Sequence, residues 1–221
     1  MKTFPTHALG FVGACLQAIC QASRASALLQ LALLCMAANP VVVAAADCCC
    51  VATPAARPLS DKSIYQLDAT WTDDAGRPVK LADLSGHPVV LTMFFTNCEY
   101  ACPILVNDNQ RLLAGLAPEL RDKVRFVLVS FDTVRDTPAA LHAYRERAGL
   151  PADWMLLHGD AGDVRELAMI LGVRYKQDAR GQFSHSNLIT VLNAGGEIAF
   201  QREGLNADVS ETARALTVAA K

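Results

Sequence analysis

The sequence predicts an α/β layered domain built on a mixed central sheet, and three observations carry that expectation. The continuous apolar run Pro88 to Phe95 and the stretch Val124 to Phe131, which repeats its buried-strand pattern, have the length of strands but not the alternation of a half-exposed one, so both of their faces must be covered. Each run is followed by a helical segment with recognisable start and stop residues. Further on, two apolar stretches flank Asn193-Ala194-Gly195-Gly196, a hairpin signature that adds antiparallel strands to the parallel ones.

Taken in order, Ser63 to Thr72 alternates enough for a strand, Asp73 to Gly76 forms a turn, and Pro78 to Leu81 begins the return. The buried strand Pro88 to Phe95 feeds a helix from Pro103 to about Ala117, which Pro118 stops. After the second buried strand, Thr137-Pro138 supplies a cap and a first-turn proline for a helix ending at Gly149. Asp160 caps the next helix, which ends at Gly172, and Val173 to Gln177 reads as a short strand. Asn187 to Leu192 and Glu197 to Gln201 form the hairpin, and Asn206 caps a last helix through about Ala219. A buried strand entering a helix through a cysteine loop, followed later by a hairpin and a closing helix, describes a thioredoxin-like three-layer fold with a central mixed sheet.

Charge divides the chain. Lys2 and Arg24 are the only charged residues before Asp47, and all 22 acidic residues lie at or beyond it. The uncharged run Ala25 to Ala46 contains the Leu-rich stretch Ala27 to Met36, then Asn39-Pro40, then Ala44-Ala45-Ala46. These are the parts of an export signal cut before Asp47, with a retained membrane anchor over residues 25–46 as the alternative. Cleavage as a lipoprotein fits poorly, because Leu34 and Asp47 occupy the positions before Cys35 and Cys48 where a small residue is needed. The expected organisation is an export signal or anchor over 1–46, a Cys-rich tail and tether over 47–61, and a folded domain over 62–221. The expected location is the periplasm, free or anchored to the inner membrane. The near-neutral balance of 20 Lys and Arg against 22 Asp and Glu offers no basic field for phosphates, which argues against a nucleic-acid partner.

The eight cysteines sort by position. Cys15, Cys20 and Cys35 lie in the export segment, where a thiol is a small apolar side chain. Cys48, Cys49 and Cys50 precede a Pro/Ala-rich tether from Thr53 to Pro58 and read either as a frayed tail or as a copper-scavenging or disulfide-forming one. Only Cys98 and Cys102 fall inside the folded part. Their C-x-x-x-C spacing, at the C-terminal end of a buried strand, places two thiols on one face of a helical first turn. A helix N-terminus lowers a thiol pKa. A structural disulfide, a redox pair and a metal site all fit that spacing. Two thiolates suit Cu(I), and one imidazole would complete a site acceptable to both copper oxidation states. His185, between Phe183-Ser184 and Ser186 in a loop entering a strand, is one candidate, and His158 at the end of another strand is a second. His7, His87 and His142 read as uninvolved. Met93, Met155 and Met169 have apolar neighbours and read as core packing instead of copper ligands.

At these residues the chain resembles the Sco/SenC proteins, thioredoxin-fold copper chaperones tied to assembly of the CuA centre of cytochrome c oxidase. The resemblance runs from about Leu67 to the end and rests on Phe95-Thr-Asn-Cys98-Glu-Tyr-Ala-Cys102-Pro103, on Ser130-Phe-Asp-Thr-Val-Arg-Asp-Thr-Pro138, and on His185-Ser186 ahead of a strand and its turn. It implies that Cys98, Cys102 and His185 hold copper, as Cu(I), Cu(II) or both. It also implies that Asp132 and Asp136 lie near the site and affect metal loading or partner contact, against a plain reading of the pair as turn caps around Arg135. The sequence departs from the commonest form in Phe131-Asp132-Thr133, where Val-Asp-Pro is usual, and in a short link between Tyr175 and His185. The implied function is delivery of copper to the oxidase subunit carrying CuA or to a similar copper enzyme, or reduction of that client's cysteines. The implied partners are a copper donor protein and a thiol reductant. The alternative is a copper-independent thiol-disulfide oxidoreductase in which Cys98 attacks and Cys102 resolves. Against that alternative, thioredoxin-type reductants usually carry C-x-x-C, and Ser184 and Ser186, not proline, flank His185. A thiol peroxidase has less support still, since nothing marks a peroxide-activating environment.

Overall fold

The computed structural model describes residues 59–221. The segment expected to be an export signal or anchor, the six cysteines before residue 51 and the expected tether lie outside the described residues. Among those described, no helix is long and apolar enough to cross a membrane.

The first stretch departs from expectation. Ser63 Oγ accepts the Tyr65 N–H at 3.2 Å and donates to the Gly195 carbonyl at 2.5 Å, while the Ile64 N–H reaches the Gly196 carbonyl. Those bonds wind Ile64–Gln66 into a 3₁₀ turn, so only Trp71–Asp73 (β1) is a strand. β1 turns back into Pro78–Val79 (β2) around Asp73, whose carboxylate accepts the N–H groups of Ala75 and Arg77.

Val89–Phe94 (β3) is buried at all six positions and leads to Ala101–Gly115 (α1). The helix begins two residues ahead of Pro103, which leaves the proline in the first turn, where its missing N–H costs nothing, and brings Cys102 into the helix. A short helix, Pro118–Arg121 (α2), starts at the proline expected only to stop the previous one. Arg125–Ser130 (β4) follows, then Pro138–Ala148 (α3), capped by Thr137 and closed by Gly149 in the left-handed region at φ 60°. Met155–His158 (β5) precedes Ala161–Leu171 (α4), where Asp160 accepts the N–H groups of Gly162 and Asp163. Tyr175–Gln177 (β6) and Phe183–His185 (β7) pair with each other, so His185 ends a strand where a loop was expected. Leu188–Leu192 (β8) and Ile198–Glu203 (β9) form the expected hairpin. The last helix, Ser210–Ala219 (α5), starts later than Asn206, because Asn206 sits at φ 53° with its N–H bound to Asp108 and Asp208 takes over the capping of Ser210.

The main sheet runs β2-β1-β5-β4-β3-β8-β9, parallel among β3, β4 and β5 and antiparallel at its other contacts. Side chains assign the layers. Asn109 of α1 donates to Thr92 Oγ1 at 2.9 Å, and Phe94, which alternation places on the same face as Thr92, packs on Tyr144 of α3 at 5.2 Å between ring centroids. α5 packs on α1. On the opposite face Gln201 joins Thr190, in register with Leu91, to the carbonyl of Leu171 at the end of α4. Helices on both faces of a mixed sheet complete the thioredoxin-like three-layer arrangement that the sequence predicts. Met93 is buried and Met155 packs against the core, but Met169 is 75% exposed, because it faces outward on α4.

The edge of this core is tightly filled. A Cβ placed on Gly159 would lie 2.5 Å from the ring of Trp71, which has no exposed surface. Gly159→Ala is therefore expected to destabilise the domain by about 1–3 kcal/mol, the usual cost of overpacking, read as a lower denaturant midpoint at unchanged slope.

Candidate metal centre

Three segments meet at the C-terminal end of β3. The loop leaving β3 turns back with the Cys98 N–H on the Phe95 carbonyl, and it is tied down at Thr96. Asp136 accepts the Thr96 N–H at 2.8 Å, the Thr96 hydroxyl at 2.5 Å and the Ser130 hydroxyl at 2.6 Å. Three donors satisfy a carboxylate that is wholly buried, which is what its burial requires.

The start of α1 has no acidic residue in its first turn and no oxygen cap. Its cap is sulfur. The Cys102 N–H donates to Cys98 Sγ at 3.2 Å, so Cys98 takes the place that an Asp or Ser side chain fills at other helix starts. Cys102 has no exposed surface, while Cys98 is half-buried. The hydrogen bond from the Cys102 thiol holds the Cys98 thiol well below its ordinary pKa, against the opposing effect of burial, and backbone hydrogen bonds from Cys102 and Tyr100 add to the shift. The same bond and deeper burial push Cys102 far above the ordinary thiol value. The two shifts run in opposite directions, so Cys98 is the thiol that ionises first and Cys102 the one that keeps its proton.

His185 arrives from the other side on β7, opposite Tyr175. Its ring is enclosed by aromatic ones, with centroids 5.1 Å from Phe131 and 6.0 Å from Phe95. Nδ1 lies 3.0 Å from the Ser186 carbonyl, which can only accept, so the proton sits on Nδ1 and the lone pair of Nε2 points outward. That Nε2 is 3.5 Å from Cys102 Sγ. The two sulfurs and the imidazole nitrogen all lie within 4.8 Å of one another, a three-donor set that one ion could join. A cleft of about 670 Å³ lined by Cys98, Tyr100, Phe183 and His185 opens the group to solvent.

The pattern of the SCO1/SenC family matches residues 59–218. The chain belongs to that family. A protein of Stutzerimonas stutzeri whose name proposes that it binds copper is 28% identical over 144 residues, 62% of this chain and 68% of that protein. Among solved structures, a SCO1/SenC family lipoprotein of Bacillus anthracis superposes with a TM-score of 0.63 at 24% identity, over 69% of this chain and 92% of that one. Bradyrhizobium japonicum ScoI, solved with copper bound, gives 0.56 at 24%, over 68% and 96%. These likenesses establish the common fold.

In the structure the other candidates separate clearly from this donor group. His158 sits on β5, two strands from β3, paired with Thr72 and apart from the thiols. His142 is on the surface of α3 beside Asp74 and Glu146, and His87 bonds the Lys123 carbonyl. Asp132 and Asp136 are both buried and stand behind the donor group, not in it. Asp136 braces the cysteine loop. Asp132 accepts the Arg135 N–H at 3.2 Å and pairs with the Arg135 guanidinium, so the turn around Arg135 is capped as the plain reading had it. Sequence reasoning missed the supports, Thr96, Ser130, Phe131 and Phe183. Thr96, Ser130 and Phe131 stood inside the quoted motifs without a role, and Phe183 was signalled by its place two positions before His185, on the same side of its strand.

Proposed function

We propose that this SCO1/SenC protein is a periplasmic metallochaperone that takes up copper through Cys98, Cys102 and His185 and delivers it to the CuA centre of cytochrome c oxidase or to a similar copper enzyme. The observation that carries the proposal is the convergence of two sulfurs and one imidazole nitrogen within 4.8 Å, at the mouth of a cleft. Soft thiolates select Cu(I), and the added nitrogen makes the set acceptable to Cu(II). Three protein donors leave room for an incoming partner ligand, which suits cargo that must be passed on. Related proteins support the reading, since Bradyrhizobium japonicum ScoI has been solved with copper bound. Loading needs both sulfurs reduced, so a thiol reductant belongs to the cycle and a copper donor precedes it. The periplasmic part of the proposal rests on the export signal expected over residues 1–46, or on its alternative, a membrane anchor over residues 25–46.

The test is anaerobic Cu(I) titration of the reduced domain from Asp47, beside an oxidase assay in a deletion strain. One-to-one tight binding together with an oxidase defect supports the chaperone, and absence of binding refutes it.

A second reading rests on its own observation. Cys98 is half-exposed with a lowered pKa while Cys102 is buried and protonated, the division between an attacking and a resolving thiol. Reduction of a client's cysteines by this pair would oxidise Cys98 and Cys102 to a disulfide as the client disulfide becomes two thiols. Disulfide reductase turnover unaffected by copper would make this the primary activity.

A further inference from the structure

The loop between β4 and α3 touches both halves of the donor set. At one end Asp136 grips Thr96, two residues ahead of Cys98. Next to it Arg135 reaches the other way, to the hairpin that carries His185. Its Nη2 donates to the Gly181 carbonyl at 2.5 Å, and its guanidinium carbon lies 5.8 Å from the centroid of Phe183. The buried carboxylate of Asp132 binds Nε, which fixes the plane of the fork. Phe183 in turn packs at 5.2 Å on both Phe95 and Phe131, the two rings that enclose His185.

The hairpin needs that hold. β6 and β7 pair over three residues each and join no other strand, and an isolated two-stranded ribbon is marginally stable in water. At its base Ser186 and Arg174 bond each other through the Ser186 N–H and the Arg174 carbonyl. Its tip is shaped to the guanidinium. Gly181 lies at φ +78°, and a Cβ there would meet Arg135 Nη1 at 3.2 Å.

We propose that Arg135 is a positioning residue, held by Asp132, that latches the β6–β7 hairpin and thereby keeps the His185 imidazole against the two thiols. The proposal rests on the reading of Cys98, Cys102 and His185 as copper ligands. Without the latch the hairpin swings, and the centre reduces to its two thiolates although the histidine is still present. Neighbouring residues of one turn then set the distance between sulfur and nitrogen, Asp136 on the thiol loop and Arg135, steadied by Asp132, on the imidazole arm.

The experiment compares Arg135→Ala, Arg135→Lys, His185→Ala and the Arg135→Ala/His185→Ala double variant, using Cu(II) and Cu(I) alone as probes and amide hydrogen exchange on the copper-free proteins. Arg135→Ala is expected to lower Cu(II) affinity by about 10- to 100-fold, the range for residues that orient a ligand, with loss of the thiolate-to-Cu(II) absorption. Cu(I) affinity should change much less. Arg135→Lys should recover part of the loss, since lysine keeps the charge but not the fork. The double variant should be no worse than His185→Ala, because the latch acts only through the histidine. In the copper-free protein, exchange should quicken at β6 and β7 and stay unchanged in β3. Unchanged hairpin exchange in Arg135→Ala would overturn the latch whatever copper does, and so would additive losses in the double variant. A wild-type Cu(II) spectrum in His185→Ala would instead refute the ligand assignment while the exchange result still judges the latch. If Arg135→Ala does not fold, Arg135→Lys carries the same test, with wild-type hairpin exchange and Cu(II) binding as the refuting result.

Discussion

Replacing either cysteine with serine is expected to abolish tight Cu(I) binding. Among the described residues Cys98 and Cys102 are the only cysteines, and each contributes half of the thiolate character of the donor set. A hydroxyl in the same place is a hard, neutral donor that Cu(I) disfavours, and the remaining sulfur and imidazole cannot substitute for a second thiolate. The loss should exceed about 100-fold, the upper end of what is seen when only an orienting residue is removed. Competition with a chromophoric Cu(I) chelator measures it, in protein that also lacks Cys48 to Cys50 so that the tail cannot supply sulfur. Wild-type affinity in Cys98→Ser or Cys102→Ser would sink the assignment. The tail cysteines themselves are expected to be dispensable for the one-to-one site.

The second large effect separates the oxidation states. In His185→Ala, Cu(II) should lose its stable complex and its charge-transfer absorption, because that ion favours nitrogen beside sulfur and higher coordination. Cu(I) should persist as a weaker two-sulfur complex, since linear sulfur coordination suits it. The Cys98–Cys102 disulfide should still form on oxidation, because the approach of the two sulfurs depends on the start of α1, where the Cys102 N–H meets Cys98 Sγ, and not on the hairpin. Absorption spectra with thiol counts before and after oxidation check all three. A wild-type Cu(II) spectrum would remove His185 from the ligand set.

The parts of this protein that follow from local chemistry were readable in the sequence. β3 and β4 are mostly apolar and almost wholly buried because helices cover both faces, and α3 and α4 carry their own caps in Thr137, Gly149, Asp160 and Gly172. The elements that depend on distant partners were not. Ser63 to Gln66 alternates like a strand but is bent by bonds to the hairpin turn at Gly195 and Gly196, more than a hundred residues away. Asn206 looks like a cap but spends its N–H on Asp108. At the site, the C-x-x-x-C spacing announced the thiols, whereas selection of His185 over His158 needed the resemblance to the Sco/SenC proteins, because no periodicity says which strand end faces which loop. The aspartates were visible as a spaced pair, yet their division of labour, one on the thiol loop and one on Arg135, is a fact of three dimensions.

The opposite shifts of Cys98 and Cys102 have a consequence for charge. With Cys98 ionised and Cys102 protonated, the reduced pair carries one negative charge at neutral pH. Cu(I) entering between the sulfurs displaces that single proton, one monovalent cation for another, and the charge of the centre does not change. Apparent Cu(I) affinity should therefore rise about tenfold per pH unit between pH 7 and 8, as one released proton requires, and not a hundredfold. It should also be nearly indifferent to ionic strength. Cu(II) brings one charge more, so its binding alters the field at the mouth of the cleft and should weaken as salt screens it. The empty reduced protein and its Cu(I) form then present the same electrostatic face to a partner, and a docking partner must tell them apart by shape or by direct contact with the metal.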